Sequence, residues 1–250
     1  MAPRQELTQL RSKVRKDLMK KWQVEDLNIN VDGVLRGQGA DPDIIRSRSP
    51  RLVDTAEKAL ASVIDKLEPE VLVKELKVTG FKHNTLELEG GKKISGSLAT
   101  GHLVGASYIT VAVCTVGSKI DGYASEVMDD DIVLGLAIDG VGSAAVESLA
   151  NAVCHDAEVK AAAEGFQTTI PLSPGMIGWS VEDGQPIIFD LLNTEKIGVS
   201  LTPYYLMNPR KSLSMIIGVG PNISSGERIC DYCAMRETCR YQNQYEEMHG

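Results

Sequence analysis

The stretch from Ile170 to Pro221 constrains the fold of this 250-residue chain more than any other. It begins IPLSPGMIGW, continues QPIIFDLLNTEKIGVSLTPYYLMNP and closes RKSLSMIIGVGP. Proline fixes φ and lacks an N–H, while glycine permits positive φ, so Ser173-Pro174-Gly175 predicts a defined turn that brings bare backbone close to a ligand. Pro186 suits the first turn of a helix, and Ile187, Ile188, Leu191 and Leu192 follow at helical spacing toward a core. Leu213, Met215, Ile217 and Val219 alternate with smaller or polar residues, the pattern of a strand. The order is turn, helix, loop, strand.

The rest of the chain adds further elements. Leu7, Leu10, Val14 and Leu18 lie three or four apart, so residues 1–22 predict a helix with one apolar stripe. That arm carries +5 of a chain whose net charge is −8, leaving −13 elsewhere, and it either packs on its own acidic body or docks on an acidic partner. Asn28 to Pro50, rich in Gly, Asp and Arg, reads as a connector with a turn. Leu52 to Leu67 has helical periodicity, with Leu52, Ala56, Leu60, Val63 and Ile64 on one side, and Pro69 follows it. Val71 to Val78 and Thr85 to Glu89 read as strands, with Gly90-Gly91 turning into Lys92 to Ile94. The run YITVAVCTV, Tyr108 to Val116, predicts a central strand.

Asp139-Gly140-Val141-Gly142-Ser143-Ala144-Ala145 spells G-x-G-x-x-A, which alone is a weak dinucleotide signature. The surrounding hairpins lack the repeated strand–helix alternation that such a site needs. The reading adopted is an Ala-rich helix over Ser143 to Ala163. Val146, Leu149, Ala150 and Val153 pack inward; Glu147, Asn151 and Cys154 share another face.

Near the C-terminus, Cys230, Cys233 and Cys239 form C-x2-C-x5-C. Two thiolates from one turn and a third across a short loop chelate one metal and need a fourth ligand: His249, His155, Cys154, a partner or a small molecule. The spacing resembles the last three ligands of the iron–sulfur motif in some DNA glycosylases. A [4Fe–4S] cluster is the expectation, with zinc as the alternative.

S-P-G, a loop and helix, then I-G-V-x-L-T and M-x-P-x-x-S-x-S together resemble the S-adenosylmethionine-binding reactivation domain of cobalamin-dependent methionine synthase, and more closely its short stand-alone relatives. The similarity runs from about Val34 to Pro221. It implies an α+β fold: a single core domain with a mainly antiparallel sheet flanked by helices, plus an N-terminal helical arm and a Cys-rich tail. The expected division is 1–33, 34–226 and 227–250. The resemblance implies a ligand cleft at Glu147, Ser173, Gly175 and Met176, with Arg210 or Trp179 as compensating contacts for the residues that the family motif loses here. The family's R-x-x-x-G-Y motif falls on Pro171, Gly175 and Met176, so its arginine and tyrosine are absent; losing one charged hydrogen-bonding partner costs about 1.5–3 kcal/mol.

The implied function is that of an accessory protein in a corrinoid-dependent methyltransferase system. It would act in reductive reactivation of a corrinoid carried by a partner, a corrinoid-binding protein or methyltransferase, with S-adenosylmethionine. The alternative is a non-catalytic scaffold that keeps the fold without the ligand site. A pI near 5.1 argues against broad nucleic-acid binding. No unbroken apolar run approaches 18 residues and no secretory leader is evident, so a cytoplasmic protein with no membrane partner is expected.

Overall fold

The computed structural model describes residues 17–223 and 229–232. Its centre is an antiparallel sheet built on three long strands: β2 (Glu70–Lys82), β5 (Tyr108–Thr115) and β9 (Ser212–Gly220). β5 lies in the middle, pairing Val73↔Ala112 on one side and Ala112↔Met215 on the other. The free edge of β2 is divided. Its first residues pair with β1 (Leu18–Lys21), and its last pair with β3 (Thr85–Leu88), which in turn holds β4 (Lys93–Ser95). A register shift between Val78 and Gly80 separates the two halves. On the far side β9 carries the two-residue β6 (Gln167–Thr168). A separate hairpin joins β7 (Ser200–Leu201) to β8 (Met207–Asn208).

Both faces of the sheet are covered, and period-two alternation sorts its side chains between two cores. Val71, Ala112, Cys114, Met215, Ile217 and Val219 face one; Leu72, Leu76, Ile109, Val111, Val113 and Ile216 face the other. Burial on both faces explains why YITVAVCTV is largely apolar and carries no charge. The first core is closed by α1 (Val31–Gly37), α3 (Pro50–Val63), α5 (Lys119–Asp130) and α6 (Ile132–Ala163). The second is closed by α4 (Ser97–His102), α7 (Val181–Leu191) and the turns around Trp179. A short α2 (Pro42–Arg48) links α1 to α3. The architecture is α+β, as expected.

Several local expectations are corrected. Asn28 to Pro50 is no connector: it holds α1 and α2, each with a side-chain cap. Asn30 accepts from Gly33 N–H, and Asp41 accepts from Asp43 and Ile44 N–H with Pro42 just inside the helix. Leu18–Lys21 is strand rather than helix, because pairing with the β2 edge overrides helical spacing; residues 1–16 of the expected arm lie outside the described residues. Pro186 sits inside α7 rather than in its first turn, since Ser180 starts that helix by accepting from Asp183 N–H.

α6 begins at Ile132, eleven residues earlier than expected, with Asp131 accepting from Leu134 N–H. Gly140-Val141-Gly142 is therefore helical, and no phosphate-binding turn exists there. The glycines serve a helix crossing instead. A Cβ on Gly140 would meet Val34 O at 2.7 Å, and one on Gly37 would meet Gly140 O at 2.6 Å. Cys154, expected on the face shared by Glu147 and Asn151 and apart from the packing residues, is buried with its thiol 3.6 Å from Met215 Sδ. α6 is also long and apolar enough to cross a membrane by length and composition, which a search for unbroken apolar runs misses. In its most apolar window 56% of the helix is buried inside the protein.

Candidate functional site

The Ser173–Gly175 turn forms as the sequence predicts. Met176 N–H donates to Ser173 O at 3.2 Å, with Pro174 and Gly175 at the two corners and Gly175 at φ +102°. A second turn follows at once, Trp179 N–H donating to Met176 O at 3.0 Å with Gly178 at φ +87°. The double turn is closed on itself. Gly175 N–H donates to Trp179 O at 2.8 Å, and Ser173 N–H donates to Met176 Sδ at 3.2 Å. Ile177 N–H donates to Tyr232 O at 3.0 Å. The N–H groups of Ser173, Gly175, Met176, Ile177 and Trp179 are thus all taken by the protein.

Trp179 is 1% exposed, wedged against Gly96 and Gly184, where a Cβ would meet its ring at 2.7 and 2.8 Å. It is a core residue and presents no face to a ligand, which corrects the expectation of a Trp179 contact. Met176 packs on the same core. Where the related motif places a tyrosine hydroxyl, this chain places a thioether folded back on its own turn.

Glu147 and Arg210 stand elsewhere. Glu147 is half-buried on α6, one turn beyond Ser143 and two beyond Asp139, so the three share a face. Arg210 reaches that face from the segment before β9. Its guanidinium lies 3.7 Å from Asp121 and 3.8 Å from Asp139, and its side chain is 65% exposed. Its backbone N–H donates to Asp121 Oδ2 at 3.1 Å. Beside it Lys211, only 12% exposed, pairs with Asp139 at 2.8 Å and donates to Ser143 Oγ at 3.0 Å. The Lys211 stem lies where a Cβ on Gly142 would fall, 3.0 Å from Lys211 Cγ. Gly142 therefore makes room for the buried cation.

The structure brings Glu147 and Arg210 to one face of α6. It places Ser173, Gly175 and Met176 in the layer on the other side of the sheet. The sequence reading missed Asp121, Asp139, Ser143 and Lys211. Their signal was the recurrence of polar residues at 139, 143 and 147 on an otherwise apolar helix. The two oxygens of Asp139 hold two cations, and Arg210 turns its exposed end outward. That arrangement suits an anionic group docking at the surface beside Arg210.

Of the cysteine tail, Cys233 and Cys239 lie outside the described residues, as does His249. Ile229–Tyr232 forms a short 3-10 turn. Among the described residues no group of three or more His, Cys, Asp or Glu stands ready to hold a metal. The expected fourth-ligand candidate Cys154 is buried in the α6 layer. Burial, aided by Glu158, pushes its thiol up to about 12. Cys114, also buried, is pushed higher still, mostly by burial and then by Cys154. Both stay protonated thiols packed in the core.

No family model matches the chain, and no curated protein matches it in sequence. Among solved structures, the crystal structure of the MetH reactivation domain bound to AdoHcy matches with a TM-score of 0.66 at 16% identity, covering 87% of this chain and 83% of that one. The fold expected from the sequence motifs is the fold observed.

Proposed function

We propose that the chain is an accessory protein of a corrinoid-dependent methyltransferase system, acting in the reductive reactivation of a partner's corrinoid. The observation that carries this reading is the shared fold with a reactivation domain over most of both chains. In this reading the partner is a corrinoid-binding protein or methyltransferase, which this chain caps. Cys230, Cys233 and Cys239 hold a [4Fe–4S] cluster, zinc being the alternative. Such a cluster supplies one-electron transfer when bound.

S-adenosylmethionine finds little in the double turn. No arginine or tyrosine is present, and the N–H groups that would meet a carboxylate are already bonded. Glu147 and Arg210 are the charged residues that fit its amino-acid end, on the α6 face. The closed turn favours a second reading, a non-catalytic subunit that keeps the fold and has lost the ligand site.

The test uses cob(II)alamin on a cobalamin-binding domain, mixed anaerobically with a one-electron reductant, with and without this chain. Faster reduction in its presence, read by absorbance, is expected. An unchanged rate rejects the reactivation role. Calorimetry with S-adenosylmethionine separates the two readings: binding weakened by Glu147→Ala supports a ligand-using protein, and no binding at millimolar ligand supports the scaffold.

A further inference from the structure

We infer that the chain self-associates head to tail, the β2–β3 hairpin of one copy docking on the α5–α6 corner of the next. The corner presents three exposed aliphatic side chains at the start of α6. Ile132 and Val133 each neighbour Leu136 across one turn of the helix, so the three form one patch, and Ile132 is 67% exposed. Glu126, Asp129 and Asp130 border the patch from the end of α5. All three are exposed, and among the described residues no lysine or arginine pairs with them. An apolar patch with an unneutralised acidic rim selects an apolar group flanked by cations.

The hairpin offers that group. Phe81, at the end of β2, is 47% exposed, its ring held out beside the turn at His83, where φ is +54°. Lys77 and Lys82 flank it on the same strand. Both are exposed and, among the described residues, pair with no carboxylate. The two surfaces lie at opposite ends of one chain. Lys160 pairs with Glu75, and Tyr108, the register partner of Lys77, donates to Glu164 Oε2 at 3.3 Å. The last turns of α6 therefore lie beside the hairpin end of β2. At a rise of 1.5 Å per residue, Ile132 stands about 42 Å from Lys160 along the helix. Within one chain the two surfaces cannot meet; between copies they can. The contact is heterologous, each copy using one surface on one neighbour and the other on the next, so assembly closes as a ring or runs on as a filament. Phe81 supplies an aromatic anchor, and the lysines and carboxylates around it set the orientation.

The test is equilibrium sedimentation of the full chain in reducing buffer over a range of concentrations. Three charge-reversed variants accompany the parent: Asp129→Lys with Asp130→Lys, Lys77→Glu with Lys82→Glu, and all four changes in one chain. The positions are exposed, so circular dichroism should be unchanged. Expected is a parent whose average mass rises with concentration. Each two-site variant alone places like charges across the contact and should associate at least about tenfold more weakly. Mixed together, the two variants again offer opposite charges, so association should return, as it should in the four-site variant. Ile132→Ser and Phe81→Ser should each weaken association with the charges intact. A parent of single-chain mass at every concentration overturns the inference and leaves the corner to a different protein. Self-association that survives either reversal, or a loss that the mixture fails to restore, overturns the pairing of these two surfaces.

Discussion

Alanine in place of glycine should have opposite effects at two helical positions. In an exposed helix interior the change stabilises by up to about 1 kcal/mol, because alanine loses less backbone entropy and favours the helix. Gly122 on α5 is such a site, with nothing within 4 Å of a built Cβ. Gly140 on α6 is not. Its Cβ would lie 2.7 Å from Val34 O and 2.8 Å from Gln38 Cγ, and the carbonyl belongs to the α1 backbone and cannot rotate away. The helices must separate, which loosens the neighbouring Gly33–Ala144 contact, where a Cβ on Gly33 would already sit 3.3 Å from that of Ala144. Overpacking of this kind costs about 2–3 kcal/mol, so after the propensity gain Gly140→Ala should destabilise by about 1–2 kcal/mol. For a domain of this size that is a fall of roughly 2–8 °C in Tm. Equilibrium urea denaturation of the two variants beside the parent reads both signs. A Gly140→Ala midpoint at or above the parent's, with Gly122→Ala behaving as expected, would refute the argument that the glycines exist for the crossing.

Two further predictions concern charge and hydrogen bonding. Burial is the largest influence on Asp17 and opposes its ionisation, but the hydrogen bond and charges of Lys196 and Lys74 outweigh it, so its pKa lies below the ordinary value. A depressed folded pKa gives stability that is present above the unfolded value of about 4 and lost as pH falls through the folded one. The gap in unfolding free energy between the parent and Asp17→Asn should therefore shrink on acidification below about pH 4; a gap constant from pH 6 to 3 would count against it. Ser214 Oγ donates to Gln185 Oε1 at 3.0 Å, both residues being buried. Ser214→Ala should cost about 1–3 kcal/mol by orphaning that acceptor, and the double change with Gln185→Leu should recover much of it. Equal losses in the single and double variants would exclude the orphaned oxygen as the cause.

How far the sequence revealed the fold depended on what held each element. β5 was legible because a strand covered on both faces must be largely apolar and free of charge. β1 was not, because Leu18–Lys21 is wholly exposed and owes its form to the β2 edge, which a local pattern cannot contain. α1 and α2 were written in their caps, Asn30 and Asp41-Pro42, but the glycines and arginines between them obscured the periodicity. Gly140 and Gly142 were left outside the expected helix because glycine in a helix interior is costly; the compensating contacts come from α1 and Lys211, remote in sequence. Of the double turn at 173–179, the first turn was legible in Pro174 and Gly175, the second was not. That its N–H groups are taken was not, since the acceptors include Tyr232, more than fifty residues on. The meeting of Arg210 with the α6 face depends on the chain's path between β8 and β9, which no local pattern encodes.

The divided edge of β2 has a consequence for solubility. An open strand edge is a template for another chain, and proteins blunt such edges with short, lysine-bearing strands. Here β1 supplies Lys20 and Lys21 over Glu70–Val73, and β4 ends the other half with Lys93. A truncation stopping before Leu18 leaves that cover in place. One that continues past Lys21 strips it away and presents Val71, Leu72 and Val73 along a bare edge, turning a folded chain into a nucleus for strand-by-strand association.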